Sequence, residues 1–179
     1  MESLDELLPF GAKAIAVVPA TEEGVEAEIR KEQCEAIGKA IIQLPDEFRM
    51  PLVLKDIAGL SVADIARILD IKEGTIKTRV HRARLRLRKS LEEGLPKAEL
   101  PPPAYSRQVC LDLLRAKQES LDRGVEMPDG DAVICERCQA VFETLDLTKE
   151  VCRTMGDIEL PPRLRKLLVE TMQAQPDSG

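Results

Sequence analysis

A basic stretch in an otherwise acidic sequence is the feature that most constrains this chain. Residues 72–89, KEGTIKTRVHRARLRLRK, contain eight Lys and Arg residues and one Glu, a net charge of +7. Residues 1–71 sum to −7 and residues 92–179 to −6. A helix over this stretch has one apolar stripe with basic residues on its other faces. The stripe consists of Ile76, Val80, Ala83 and Leu87.

A shorter amphipathic pattern directly precedes the basic stretch. Ser61 followed by Asp64 is a capping box, which is typical of a helix start. The apolar stripe of this helix is formed by Ile65, Ile68 and Leu69. Residues 70–74 indicate a turn, so the two patterns predict a helix-turn-helix whose basic second helix enters the DNA major groove. The alternative is a plain helical hairpin with a solvated basic face.

Composition favours an all-α fold. Aromatic residues make up 2% of the chain and Trp is absent, so the core must be aliphatic.

The net charge of −6 argues against general coating of nucleic acid, but it leaves room for one local contact surface. No secretory signal and no apolar run of about 18 residues is present, so we expect a cytoplasmic protein without a membrane segment. The five cysteines then suggest metal or thiol chemistry rather than structural disulfides.

Breaks in the pattern divide the chain into four parts. Residues 1–24 form an acidic arm or linker. Residues 25–91 form a four-helix DNA-binding domain, because helices over about 25–43 and 46–58 precede the helix-turn-helix. Residues 92–105, with four prolines, form an extended linker. Residues 106–179 form a second helical domain, with helices predicted over 106–121, 131–155 and 163–172.

The four-helix segment resembles the fourth region of extracytoplasmic-function (ECF) bacterial sigma factors. The matching residues are Leu44-Pro45, Arg49, Leu52 to Asp56, Gly59-Leu60-Ser61, Asp64-Ile65-Ala66, Leu69 and Gly74 to Arg84. The resemblance implies that this domain recognises the −35 promoter element and contacts the flap of RNA polymerase. The family's second region, which melts the −10 element, has no counterpart in the short acidic arm. We therefore expect a fragment of a longer sigma factor, or a reduced relative that cannot open promoters by itself.

The resemblance also implies which residues contact DNA. The matching base- and phosphate-contacting positions are Lys77, Thr78, His81 and Arg82, with Arg79 and Arg84 as backbone contacts. This set is chemically reasonable, because Lys and Arg bind guanine O6 and N7 or phosphate and Thr can serve either role.

The second domain contains a C-x-x-C pair, Cys135 and Cys138, with Cys110 upstream. Thiols at i and i+3 of a helix share a face, and a packed neighbouring helix could supply Cys110 as a third ligand of zinc. This domain also resembles the zinc-binding anti-sigma domain, which binds and occludes ECF sigma factors. The family's usual histidine is replaced by Asp131, so Asp131 is the expected fourth ligand and Cys152 its rival. The alternatives are a metal-free domain with core thiols and a redox-labile disulfide from Cys110 to Cys135 or Cys138.

These patterns together predict a sigma-factor DNA reader regulated in cis by an anti-sigma-like, zinc-binding domain. The expected partners are promoter DNA, RNA polymerase and the second domain of the same chain. One alternative is a sequestering interaction protein whose helix-turn-helix no longer contacts DNA. Another is a stand-alone helix-turn-helix regulator with a metal or redox sensor domain. No catalytic constellation or phosphate-binding loop occurs in the sequence, so we do not expect an enzyme.

Overall fold

The computed structural model describes residues 14–15, 34–94, 97–98, 101–127, 134–157 and 162–173. The helices of these ranges are α1 (34–43), α2 (Asp46–Leu52), α3 (Val62–Leu69), α4 (Glu73–Gly94), α5 (Arg107–Arg123), α6 (Glu136–Asp157) and α7 (Pro162–Gln173). Two short strands, β1 (Ala14–Ile15) and β2 (Lys97–Ala98), pair in antiparallel fashion. The predicted all-α class with a helix-turn-helix is confirmed.

Helices α1 to α4 pack around an aliphatic core. The predicted stripe of α4 faces this core, because Ile76, Val80, Ala83 and Leu87 are all buried. The main partners of that stripe from the other helices are Ile37, Ile41, Leu52 and Ile65, and these are also fully buried. The start of the first predicted helix, over residues 25–33, lies outside the described residues.

Pro51 marks a change of helix type between α2 and α3. The chain continues from α2 into a π-helical turn, Val53–Ile57, in which the Ala58 N–H donates to the Val53 carbonyl at 2.9 Å. Proline has no N–H to donate, so the regular α-helical ladder is interrupted here. The π-helical turn is wider than a regular α-helical turn. Asp56 lies in this turn and is buried against α4.

The C-terminal helices differ from the predicted ones mainly at their ends. Helix α4 continues to Gly94, three residues into the predicted linker, because the first strong breaking signal is Gly94 followed closely by Pro96. Helix α5 begins after Ser106, whose Oγ accepts the Val109 N–H, and ends at Gly124 in the left-handed conformation. Helix α6 begins at Glu136; the predicted start at Asp131 lies outside the described residues.

Two hydrophobic clusters join the C-terminal helices to the four-helix segment. The cluster around α1 to α4 includes Val151, Cys152 and Met155 of α6 and Leu168 of α7. The second cluster lies between α5 and α6, and it includes Leu85 of α4. Each segment therefore contributes side chains to the other's core, across the region predicted to be a linker between separate domains.

Over the ranges that the structure describes, none of the helices has the length and apolarity needed to cross a membrane.

Candidate nucleic-acid interface

The turn between α3 and α4 is fixed at both ends by local hydrogen bonds. At the start of α3, Ser61 Oγ accepts the Asp64 N–H at 3.0 Å and donates to Asp64 Oδ2 at 2.6 Å. The hydrogen bond from Ser61, with further contributions from Arg67, lowers the pKa of the Asp64 carboxyl group. At the end of α3, Asp70 adopts the left-handed conformation and the Ile71 N–H donates to the Ala66 carbonyl at 3.0 Å. These contacts orient α4 relative to α3.

Substitution of Ser61 by alanine is expected to destabilise the fold by about 1 kcal/mol, because a helix N–H loses its acceptor. Ser90→Ala is the matched control, since Ser90 is exposed and only back-bonds to the Arg86 carbonyl within α4; we expect it to change stability by less than about 0.5 kcal/mol. Urea denaturation measures both. A loss of DNA affinity in Ser61→Ala without loss of stability would contradict the capping role.

Several basic and polar side chains of α4 face solvent. Lys77, Thr78 and Arg82 are exposed, and over the described part of the chain Lys77 and Arg82 have no ion-pair partner. Thr78 Oγ1 donates to the Gly74 carbonyl at 2.9 Å, so its oxygen is left to accept a hydrogen bond. Arg79 is half-buried and lies 3.8 Å from Glu47 at the start of α2. The side chains of Lys77, Thr78 and Arg82 are therefore accessible to a ligand.

From His81 onward, α4 contacts α5 through a polar cluster. This Arg84 cluster consists of Asp56, His81, Arg84, Gln118 and Asp122. The Arg84 guanidinium donates to both oxygens of Asp56 at 2.7 Å, to Asp122 Oδ1 at 2.8 Å and to Gln118 Oε1 at 3.2 Å. His81 Nε2 lies 2.9 Å from the other oxygen, Asp122 Oδ2. Asp122 therefore bridges two side chains of α4.

The charges of the Arg84 cluster stabilise each other. Burial alone lowers the pKa of Arg84, but the Asp56 and Asp122 carboxylates outweigh it and the pKa is raised. Burial of Asp122 by itself raises the pKa of its carboxyl group. The hydrogen bond from His81 and the charge of Arg84 outweigh burial, so the pKa of Asp122 is lowered. Lys149 of α6 also lies near these groups and donates to the Leu121 carbonyl at 2.5 Å; burial, followed by Arg84, lowers its pKa.

The six residues implied by the family resemblance thus fall into two groups. Lys77, Thr78 and Arg82 are accessible, and Arg79 is partly so. His81 and Arg84 face Asp122, and the Arg84 side chain is 1% exposed, so it cannot touch a DNA backbone in this conformation. The DNA-contact set as a whole stays a prediction.

The three thiols of the predicted zinc site lie close together. Cys138 interacts with both Cys135 and Cys110, and burial together with these neighbours raises its pKa to about 12. Cys135 lies at the start of α6 and, despite burial, its pKa is lowered by backbone N–H groups that include those of Ala104 and Cys138. Cys152 belongs to the other hydrophobic cluster.

Asp131, the expected fourth ligand, lies outside the described residues. Across the described ranges, no group of three or more His, Cys, Asp or Glu residues is arranged to hold a metal ion. The zinc site therefore stays a prediction from the sequence.

The comparisons with known proteins concern the four-helix segment. Residues 34–87 match the family model described as Sigma-70, region 4. Over these 54 of its 179 residues, the chain is similar to sigma region 4. The match covers all of α1 to α3 and most of α4, and hence every residue of the predicted DNA-contact set.

Curated relatives match over the same part of the chain. The ECF RNA polymerase sigma factor SigW of Bacillus subtilis is 44% identical over 68 residues, which are 38% of this chain and 36% of that protein. The ECF RNA polymerase sigma factor SigM of Mycobacterium tuberculosis is 46% identical over 56 residues, 31% of this chain and 29% of that protein. The RNA polymerase sigma-H factor of Pseudomonas aeruginosa is 35% identical over 77 residues, 42% of this chain and 40% of that protein.

The chain thus spans about a third of the length of these curated relatives. No solved structure matches it.

Sequence reasoning missed the partners of His81 and Arg84. Asp122 and Gln118 lie more than thirty residues further along the chain, and nothing local marks an acid of α5 as the partner of α4. A signal for Arg84 itself does exist: position 84 is i+4 from Val80 and i−3 from Leu87, so helical spacing places it beside the buried stripe.

Proposed function

We propose that this chain acts in bacterial transcription initiation, with α4 reading the −35 promoter element and the four-helix segment contacting RNA polymerase. The observation that carries the proposal is the sigma region 4 match over a helix-turn-helix whose reading helix exposes Lys77, Thr78 and Arg82. Lys and Arg supply the donors that bind guanine and phosphate, and the Thr78 oxygen can accept from a base amino group.

Arg82→Ala is expected to weaken binding to a duplex selected by the full chain from a randomised pool. The expected cost is about 1–3 kcal/mol, with relaxed specificity at one position, if Arg82 binds a base edge. Lys77→Ala should cost a similar amount, or act uniformly across sequences if Lys77 meets phosphate. Fluorescence anisotropy on the selected duplex and on scrambled duplexes measures both.

The matched control for these substitutions is Arg115→Ala, which removes the same charge from an exposed side chain of α5. It is expected to leave DNA binding unchanged. If the Lys77→Ala, Arg82→Ala double variant binds like the wild type, α4 is not the reader.

We propose further that the C-terminal segment regulates the reader in cis. The proposal is supported by the contacts of Asp122 with His81 and Arg84 and by the four apolar side chains that α6 and α7 add to the core of α1 to α4. A tether of this kind holds its ends together at an effective concentration on the order of millimolar. Even weak contacts between the segments would then favour the closed arrangement.

A sequestering protein without DNA binding is the second candidate, and the engagement of His81 and Arg84 within the chain favours it. Failure of the wild-type chain to select any duplex would support this candidate. Binding to a polymerase flap peptide would argue against a stand-alone regulator.

A further inference from the structure

We propose that His81 and Arg84 of α4 form a binding site for a DNA phosphate. In the structure described above, which we call the closed chain, the Asp122 carboxylate occupies this site. This inference rests on the proposed DNA-reading function and deepens it. The ligand class is the backbone phosphate of duplex DNA, which exchanges with the carboxylate of α5.

The geometry of the two donors is that of an anion site. His81 and Arg84 lie one helical turn apart on α4, so their side chains are neighbours on one face. They meet the two oxygens of a single carboxylate at 2.9 and 2.8 Å. A phosphate presents oxygens to the same donors, since guanidinium binds carboxylate and phosphate alike.

Asp56 fixes the position of the Arg84 side chain independently of α5. Its Nε and Nη2 are bound by Asp56 of the same four-helix segment, whereas Nη1 points to Asp122 and Gln118 of α5. If the end of α5 moves away, the Asp56 pair can remain and keep the guanidinium in place. Nη1 and the His81 ring would then be freed together, beside Lys149 of α6.

The exchange separates two parts of DNA recognition. Lys77, Thr78 and Arg82 stay exposed in the closed chain, so base reading does not depend on release of Asp122. Phosphate contacts add affinity without sequence information. The closed chain should therefore choose the same sequences as the open chain but bind them with fewer phosphate contacts.

Asp122→Asn in the full chain tests this exchange, because the change keeps the side-chain shape and removes the charge. Each phosphate gained steepens the dependence of log affinity on log salt by about 0.9 and adds roughly tenfold in affinity at low salt. We expect a steeper slope by about 1 to 2 and tighter binding to the selected duplex at about 50 mM salt. The ratio of affinities for selected and scrambled duplexes should not change.

Asp146→Asn is the matched control. It removes the same charge from the same half of the chain, but Asp146 is half-exposed and pairs with Lys117 of α5. If Asp122→Asn and Asp146→Asn alter the salt slope equally, the effect is one of net charge and the inference is wrong. Adding His81→Ala to Asp122→Asn should reverse part of the gain in slope.

A second measurement does not depend on how Asp122→Asn folds. His81 is the only histidine of the chain, so its ring signals in the NMR spectrum report on this site alone. Saturating the wild-type chain with the selected duplex should shift these signals away from their free positions. Unshifted ring signals in the DNA-bound wild type would show that Asp122 stays in place, which overturns the inference.

The outcomes distinguish this inference from the proposed function. If wild type and the Lys77→Ala, Arg82→Ala double variant bind DNA equally, α4 is not the reader and the function fails. If Arg82→Ala weakens binding while the His81 ring is unaffected by DNA, the function stands and only the phosphate site is wrong.

Discussion

Asp56→Ala is expected to lower the free energy of unfolding by about 3–5 kcal/mol, the usual cost of removing one partner of a buried ion pair. Asp56 accepts two hydrogen bonds at 2.7 Å from a guanidinium that is 1% exposed. Without Asp56, the buried Nε and Nη2 of Arg84 lose their acceptors. Asp122 still bonds Nη1, so we expect the lower end of this range.

Asp112→Ala is the control for this substitution. Asp112 pairs with Arg115 at 3.5 Å on the exposed face of α5, and exposed pairs of this kind contribute at most about 1 kcal/mol. Urea denaturation followed by circular dichroism compares the two variants. A cost below about 1 kcal/mol for Asp56→Ala would show that the Arg84 guanidinium finds other acceptors or water when Asp56 is absent.

The part of this fold that could be predicted from the sequence is the part set by neighbouring residues. The stripe of α4 repeats with the helical period, and Ser61 with Asp64 marks the start of α3, because capping and amphipathicity act within a few residues. The exposure of Lys77 and Arg82 follows from the same helical spacing.

The parts that could not be predicted depend on contacts between distant residues. The charge of Arg84 predicts an exposed side chain, although its helical spacing places it beside the buried stripe. Arg84 is buried because Asp56 and Asp122, which lie in other helical segments, accept hydrogen bonds from its guanidinium. Residues 92–105 predict a linker between two domains, and contact between these domains is expected only from the resemblance of the second one to an anti-sigma domain. Proline content indicates an extended connection, but it gives no information on whether the units that it joins pack together.

Leu145→Ala and Leu52→Ala are each expected to lower the free energy of unfolding by about 2–5 kcal/mol, through lost burial and the cavity left behind. Both side chains are fully buried, Leu52 in the core of α1 to α4 and Leu145 in the cluster between α5 and α6. Val125→Ala is the control, since Val125 is exposed and should change stability by less than about 0.5 kcal/mol.

The shape of the unfolding curve matters as much as the size of the shift. Leu85 of α4 packs into the C-terminal cluster, and Met155 and Leu168 pack into the four-helix core, so loss of one core exposes part of the other. We therefore expect one cooperative transition that both variants move, measured by circular dichroism and by the fluorescence of Tyr105, the only tyrosine. Two transitions, with Leu145→Ala moving only one, would contradict the shared core. A single transition would mean that release of Asp122 from α4 is a local opening at the end of α5, because full separation of the C-terminal helices would cost most of the stability of the chain.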